Sequence, residues 1–253
     1  MAPRPNFDRP VAHRGLHDRA AGVIENSRSA FEAAIAKGYA IECDVQVSSD
    51  GVPIIFHDDD LERLTGLQGP LVARTAAELT STPLLGSKAG DCPQTLTEFL
   101  DQIGGRALLQ IELKRQRDPV KADILARTAA EAIARYSGPV TVESFDPGLL
   151  VRIRRYGYNG PLGIITEAYD HNEWDADLTE RQRFVLRHLL HWPWSRFSFI
   201  SCSHKALDLP AVKLFHALGM PVTAWTVRSA EERRAVGRRA DQIVFEGFDP
   251  QGG

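Results

Sequence analysis

Short hydrophobic runs alternate with longer amphipathic segments along the chain. Eight runs have the length and β-branched content of buried strands; they lie at residues 10–13, 40–47, 107–114, 139–144, 162–166, 197–202, 221–227 and 242–246. The segments between them, many with a capping residue at the start or a glycine at the end, predict helices at 27–38, 95–105, 118–138, 146–157, 177–190, 209–219 and 229–239. Strands that alternate with helices favour parallel pairing with right-handed crossovers.

Eight strand–helix units in 253 residues predict an α/β fold with one domain over 1–253, a TIM-like (β/α)8 barrel. A doubly wound open sheet is the competing fold, but no G-x-G-x-x-G sequence follows the first strand. The run VPIIFH at 52–57 follows a turn signal at 48–51, which predicts a hairpin extension after strand 2. The chain ends soon after the last strand, so we expect a missing or reduced last helix.

Composition and charge narrow the class of protein. The formal net charge is -3, which predicts neither a nucleic-acid partner nor binding to an anionic membrane surface. Cys43, Cys92 and Cys202 lack metal-binding spacing, so we expect reduced thiols. The N-terminal stretch lacks the apolar segment of a signal peptide, and no apolar run reaches the ~18–20 residues of a membrane span. A cytoplasmic enzyme or binding protein is the simplest expectation.

Acidic side chains occur inside two of the predicted strands. Residues i and i+2 of a strand point to the same face, so Glu42 and Asp44 share a face, as do Glu112 and Lys114. In neighbouring barrel strands the three carboxylates would converge, and unpaired buried carboxylates cost several kcal/mol each. A divalent cation would remove that cost. Ligands that are all oxygen suit Mg²⁺ or Ca²⁺ better than zinc.

Two histidines and two cationic residues lie at the same strand ends. His13 ends the first strand and His57 ends the hairpin, and imidazole suits general acid–base catalysis near neutral pH. Arg14 and Lys114 would suit an anionic centre such as phosphate. Each residue alone also has a structural interpretation, as a salt-bridged acid or a satisfied histidine. The functional interpretation depends on all of them converging at one end of the barrel.

Three runs resemble, in order, the motifs of the glycerophosphodiester phosphodiesterase family: AHRGLHDRAAGVIENSRSAF, IECDVQVSSDGVPIIFHDDDLERLTG and IELK. The resemblance is densest over residues 11–115 and points to the short cytoplasmic branch. It implies a TIM-like barrel that hydrolyses a small-molecule glycerophosphodiester to an alcohol and glycerol 3-phosphate, with one Mg²⁺ or Ca²⁺. It further implies Glu42, Asp44 and Glu112 as metal ligands, His13 and His57 as the acid–base pair, and Arg14, Glu25, Asn26, Lys114, Phe145 and Trp225 as substrate-binding residues.

The end of the last strand departs from the family pattern, which is similar to Ile-Thr-Asp-x-Pro. Phe245 and Glu246 stand in place of Thr and Asp, which leaves the details of the substrate pocket open. The short C-terminus leaves the last seam of the barrel either thinly covered or covered by a second subunit in a homodimer.

Several functions stay open at this point. They are a metal-dependent phosphosugar aldolase or isomerase, a lysophospholipase D-type activity on the same site, and a non-catalytic cation- or phosphate-binding domain. The head group, the choice between Mg²⁺ and Ca²⁺, the role of each histidine and the nucleophile, either water or a glycerol hydroxyl, are also open.

Overall fold

The computed structural model describes residues 4–170 and 178–251. Its strands are β1 (Val11–Ala12), β2 (Ala40–Val47), β3 (Pro53–Ile55), β4 (Leu109–Leu113), β5 (Val140–Ser144), β6 (Leu162–Thr166), β7 (Phe199–Ser203), β8 (Val222–Val227) and β9 (Gln242–Phe245). All eight predicted strands are present, and β3 is the predicted return strand of the hairpin.

The helices are α1 (Arg28–Ala36), α2 (Glu62–Thr65), α3 (Ala76–Thr80), α4 (Leu96–Ile103), α5 (Pro119–Ile133), α6 (Pro147–Arg155), α7 (Glu180–Arg187), α8 (Trp192–Ser195), α9 (Pro210–Ala217) and α10 (Ala230–Val236). The predicted helices correspond to α1, α4, α5, α6, α7, α9 and α10. Asp177, the first residue of the predicted helix at 177–190, lies outside the described residues. Helices α2, α3 and α8 were not predicted, because four or five residues are too few to show a helical period.

Eight parallel strands close into a barrel in the order β1-β2-β4-β5-β6-β7-β8-β9, and β9 pairs with β1. One edge of β2 is divided between two neighbours. Its first two residues pair with β1, and Val45–Val47 pair with β3 in antiparallel register. In the described chain, which continues to residue 251, no helix follows β9. The barrel and the hairpin are therefore confirmed.

Three hydrophobic clusters fill the molecule. The largest packs the strands against the surrounding helices and includes Phe31, Phe99 and Leu125. A second cluster lies beneath the segment that follows the hairpin and carries α2 and α3. It is built from Ile24, Ile54, Phe56, Leu61, Leu64, Leu71, Leu79 and Leu84. The third is small and joins Val11, Ala40 and Val244, with Leu108 and Trp225 against it. Val11 on β1 is the partner of both Ala40 on β2 and Val244 on β9, so this side of the barrel interior is apolar.

The register of the strands brings the acidic residues to one face. Asp44 on β2 is the partner of Glu112 on β4, and Glu112 is the partner of Glu143 on β5. Partners in neighbouring strands point to the same face, and Glu42 shares that face because it lies two residues before Asp44. The fold therefore gathers four carboxylates on the interior face of the barrel.

Candidate functional site

A cavity of about 1440 Å³ opens at the carboxyl ends of the barrel strands. Many of the residues singled out from the sequence line it: His13, Arg14, Glu42, His57, Glu112, Lys114, Phe145 and Trp225. They come from β1, β2, the β3 hairpin, β4, β5 and β8, or from the residues that follow them directly. The structure thus brings these side chains to one site, at the end of the barrel where such sites are built.

Three carboxylates form a compact cluster in this cavity. Oxygen atoms of Glu42, Asp44 and Glu112 all lie within 4.8 Å of one another. The three residues are only 3%, 1% and 8% exposed. Burial, followed by repulsion from Asp44, raises the pKa of Glu42 well above its usual range. Burial also raises the pKa of Glu112, which Asp44 repels as well. A cation would relieve both effects, so the donor set fits a hard divalent ion such as Mg²⁺ or Ca²⁺.

Two basic side chains already balance part of this negative charge. Lys114 Nζ lies 3.2 Å from Glu112 Oε1 and 3.5 Å from Asp44 Oδ1. Arg14 Nε lies 3.3 Å from Asp44 Oδ2. Although burial acts to raise the pKa of Asp44, the nearby His57, Lys114 and Arg14 hold it well below its usual range. Asp44 is therefore ionised beside two cationic groups, Arg14 and Lys114, that line the cavity.

The turn after β1 places Arg14 beside the cluster. Arg14 has φ +54°, and its backbone N–H donates to Glu42 Oε2 at 2.8 Å. Gly15 follows with φ +78°, and a Cβ there would lie 2.9 Å from the carbonyl carbon of Ala30. This close approach to α1 requires glycine. In the His-Arg-Gly sequence, the backbone therefore requires the glycine, while His13 and Arg14 supply the side-chain chemistry.

Glu25 and Asn26 contact charged groups of the site. Glu25 Oε1 accepts a hydrogen bond from Arg14 at 2.7 Å. Asn26 Nδ2 donates to Asp44 Oδ2 at 2.9 Å, and Asn26 has φ +53°, which asparagine tolerates better than most residues. The two residues thereby hold Arg14 and Asp44 in place.

His13, near the N-terminus, contacts Glu246, near the C-terminus. Its Nδ1 lies 2.5 Å from Glu246 Oε2, while its Nε2 lies 3.9 Å from Glu42 Oε2. Burial lowers the pKa of His13 to about 4 despite the hydrogen bond to Glu246. The ring is thus fixed on one side, and its other nitrogen is directed towards the carboxylate cluster. Sequence reasoning noticed Glu246 only as a departure from the family pattern and did not connect it to His13.

His57 lies beside Asp44 because of the hairpin. The N–H of Phe56 donates to the carbonyl of Asp44 at 3.0 Å, and Gln46 Nε2 donates to the carbonyl of His57 at 3.0 Å. The Nδ1 of His57 lies 2.7 Å from Asp58 Oδ1. His57 lines the same cavity as Glu42 and Glu112.

Arg63 was not identified from the sequence. Its guanidinium donates to both oxygens of Asp58, at 2.6 and 2.9 Å, and to both oxygens of Glu25, at 2.8 Å each. Burial acts to raise the pKa of Glu25, but Arg63 and Arg14 lower it to about 2. Arg63, on α2, thus bridges Asp58, which contacts His57, and Glu25, which contacts Arg14. No local sequence pattern marks this role.

One wall of the cavity combines aromatic rings with a buried acid. Phe145 and Trp225 pack edge to face with ring centroids 5.7 Å apart, and Trp225 Nε1 donates to the carbonyl of Ser201. Glu143 is 3% exposed and accepts a hydrogen bond from Gln110 Nε2 at 2.9 Å. Burial raises the pKa of Glu143 to about 8. The site therefore offers an apolar surface and a carboxyl group that is neutral at neutral pH.

Comparison with known proteins agrees with this chemistry. The model of the Glycerophosphoryl diester phosphodiesterase family matches residues 13–245. The chain is 26% identical over 250 residues to glycerophosphodiester phosphodiesterase 1 of Bos taurus, covering 88% of this chain and 72% of that protein. It is 26% identical over 240 residues to a glycerophosphodiester phosphodiesterase of Bacillus subtilis, covering 87% and 76% respectively.

Solved structures share the fold. A phosphodiesterase of Oleispira antarctica, in complex with the product sn-glycerol-3-phosphate, matches with a TM-score of 0.76 at 21% identity, covering 97% of this chain and 93% of that one. A glycerophosphodiester phosphodiesterase of Parabacteroides distasonis matches with a TM-score of 0.73 at 21% identity, covering 95% and 93%. In the described part of the chain, no helix is long and apolar enough to cross a membrane.

Proposed function

Because the chain belongs to the glycerophosphoryl diester phosphodiesterase family, we propose a mechanism in which its strand-end cluster carries out the hydrolysis of glycerophosphodiesters. The protein is a phosphodiester hydrolase with a TIM-like barrel, as its motifs predict. This membership decides against the aldolase or isomerase alternative. The products of the proposed reaction are an alcohol and glycerol 3-phosphate, the product named for the Oleispira antarctica protein.

Glu42, Asp44 and Glu112 are the proposed ligands of one divalent cation. Their mutual proximity and burial support this assignment, and all-oxygen ligands suit either Mg²⁺ or Ca²⁺. When bound, such a cation would supply Lewis-acid polarisation of a phosphate oxygen. Asn26 orients Asp44 through its amide, and Glu25 orients Arg14.

Arg14 and Lys114 are the proposed phosphate contacts. Both line the cavity and lie beside the carboxylates, so their charges face the place where the phosphate would sit. Two fixed positive groups beside the phosphate would stabilise the additional negative charge of the transition state. Phe145 and Trp225 would pack against the carbon skeleton of the substrate.

His13 and His57 are the proposed acid–base pair. One imidazole takes the proton of the nucleophile as the new P–O bond forms, and the other gives a proton to the departing alcohol as the old P–O bond breaks. The nucleophile is either water, which yields the products directly, or the neighbouring glycerol hydroxyl, which yields a cyclic phosphate that water then opens. Both rings line the same cavity, and a carboxylate contacts the Nδ1 of each.

The convergence of both histidines on the carboxylate cluster is the observation that carries this proposal. The experiment is hydrolysis of glycerophosphocholine, glycerophosphoethanolamine and glycerophosphoinositol at fixed Mg²⁺, fixed Ca²⁺ and with chelator. Activity should require a cation and should be lost in His13→Ala and in Glu42→Ala. An exposed acid on α5 supplies the matched control, Glu131→Gln, which should retain activity. Full activity of either site variant would refute the assignment.

The size of the cavity favours a lysophospholipase D-type activity as a second candidate. Beyond the histidines, Tyr169, Leu178, Val185, Leu186 and Trp194 also line it. Their apolar surfaces, which lie next to Arg181 and Gln182, would accommodate an acyl chain beside the phosphate. Val185→Asp should then lower kcat/KM for lysophosphatidylcholine and leave glycerophosphocholine hydrolysis unchanged. Equal effects on both substrates would count against the acyl-chain site.

The cysteines and the barrel seam bear on location and assembly. Three free cysteines, of which Cys43 and Cys202 are buried, agree with a reducing compartment such as the cytoplasm. A homodimer would cover the seam between β9 and β1, beside which no helix follows in the described residues. Sedimentation velocity with increasing concentration tests the dimer, and a mass of 28.0 kDa at every concentration would refute it.

A further inference from the structure

Glu246 joins His13 to an arginine at the rim of the cavity. Its Oε2 lies 2.5 Å from His13 Nδ1, and its Oε1 accepts a hydrogen bond from Arg228 Nε at 2.7 Å. Each carboxylate oxygen therefore has its own partner. His17 Nε2 lies 3.7 Å from the same Oε2. The side chain is 20% exposed, so the contact with His13 is largely protected from water.

The backbone also holds Glu246 and His13 together. The N–H of His13 donates to the carbonyl of Phe245 at 2.9 Å, which extends the pairing of β1 with β9. The N–H of Glu246 donates to the carbonyl of Val227 at the end of β8. The two side chains thus leave adjacent, hydrogen-bonded strand ends. The contact is part of the barrel closure and does not depend on a loop.

The contacts of Glu246 decide which nitrogen of His13 carries the proton: one oxygen accepts from Arg228, and the other lies against His13 Nδ1. Burial acts to raise the pKa of Glu246, but the hydrogen bond with His13, the nearby His17 ring and the charge of Arg228 hold it well below its usual range. A carboxylate only accepts hydrogen bonds, so His13 Nδ1 must be the donor. A neutral imidazole has one N–H, which leaves Nε2 unprotonated on the side of Glu42, 3.9 Å from its Oε2.

We propose that Glu246 is a positioning residue that fixes His13 in the Nδ1–H tautomer, with Nε2 directed into the reaction site. Arg228 holds the carboxylate in place for this role. The proposal deepens the proposed function and depends on it, since the value of the tautomer lies in the proton transfer at Nε2. Glu246 touches no reacting atom, so it acts through His13.

The kinetic experiment compares Glu246→Ala, Glu246→Gln and Asp249→Asn with the wild type on glycerophosphocholine at saturating cation. Glu246→Ala should lower kcat by about 10- to 100-fold with little change in KM. Glu246→Gln should retain most of kcat, because its amide oxygen still accepts from Nδ1–H. Asp249→Asn removes a carboxylate from the same segment, one that contacts Tyr39 and Lys37, and should behave as wild type. An effect of Glu246→Ala that is confined to KM would overturn the proposal.

A spectroscopic experiment separates this proposal from the proposed function. Nitrogen-15 NMR of histidine-labelled, Mg²⁺-loaded protein reports which ring nitrogen is protonated, and His13→Gln assigns the His13 signals. The wild type and Glu246→Gln should show Nδ1–H, and Glu246→Ala should shift towards the other tautomer. An unchanged tautomer in Glu246→Ala overturns the positioning role. If the wild type hydrolyses no glycerophosphodiester, the proposed function fails, while the tautomer still decides the role of Glu246.

Discussion

The amide of Asn26 donates to Oδ2 of Asp44 at 2.9 Å, and both side chains are almost completely buried. Asn26 also has a left-handed backbone, with φ +53°. The contact turns one carboxylate oxygen towards the amide. Asp44 Oδ1, meanwhile, lies 3.5 Å from Lys114 Nζ. The orientation of the most buried acid in the cluster therefore depends on a residue outside the strands.

Replacing Asn26 by glycine should weaken cation binding. Glycine tolerates the left-handed backbone, so the substitution removes the amide without adding conformational strain. Loss of a hydrogen bond that orients a metal ligand typically costs about 10-fold or more in affinity. Isothermal titration with Mg²⁺ and with Ca²⁺ measures the effect. The exposed Asn159→Gly is the control and should bind cation as the wild type does; an unchanged affinity in Asn26→Gly would contradict the orienting role.

Cation affinity should rise with pH. Burial, and then repulsion from Asp44, raises the pKa of Glu42, and burial raises that of Glu112. Protons therefore compete with the cation for these two carboxylates, and the competition fades as the pH increases. Titrations between about pH 5.5 and 8 in buffers of different ionisation enthalpy should show tighter binding and fewer released protons at the higher pH. Glu112→Gln should release fewer protons than the wild type. A pH-independent affinity would rule out protonated ligands.

The sequence carried enough information to predict the barrel, the hairpin and the main acidic cluster. Strand alternation puts Glu42 and Asp44 on one face, and parallel register then brings Glu112 beside Asp44. The contacts that hold the two histidines were harder to predict. Glu246 is 233 residues away from His13 in the chain. Arg63 lies on α2, within the segment after the hairpin, whose short helices show no periodic pattern. Such contacts depend on barrel closure and on side-chain reach, which no local pattern encodes.

Gly15→Ala should destabilise the protein more than a typical left-handed glycine substitution does. A Cβ at residue 157 would meet nothing within 4 Å among the described residues, so Gly157→Ala, at φ +96°, carries only the backbone cost of about 1–2 kcal/mol. At Gly15, where φ is +78°, the added Cβ would also lie 2.9 Å from backbone and Cβ atoms of Ala30. Urea denaturation should therefore rank Gly15→Ala below Gly157→Ala in stability. Equal losses of stability in the two variants would show that α1 moves away from the added Cβ at residue 15 without cost.

Glu143→Gln should remove a pH dependence of stability from the metal-free protein. Burial raises the pKa of Glu143 from 4.5 to about 8, so between these values the folded chain holds a proton that the unfolded chain releases. Its contribution is fully present below pH 4.5 and is lost as the pH rises towards 8, with a slope of up to about 1.4 kcal/mol per pH unit. Denaturation in chelator across this range should show a flatter profile for Glu143→Gln than for wild type, whereas the exposed Glu131→Gln should follow wild type. Parallel profiles for Glu143→Gln and wild type would mean that the Glu143 carboxyl is ionised in the folded protein at neutral pH.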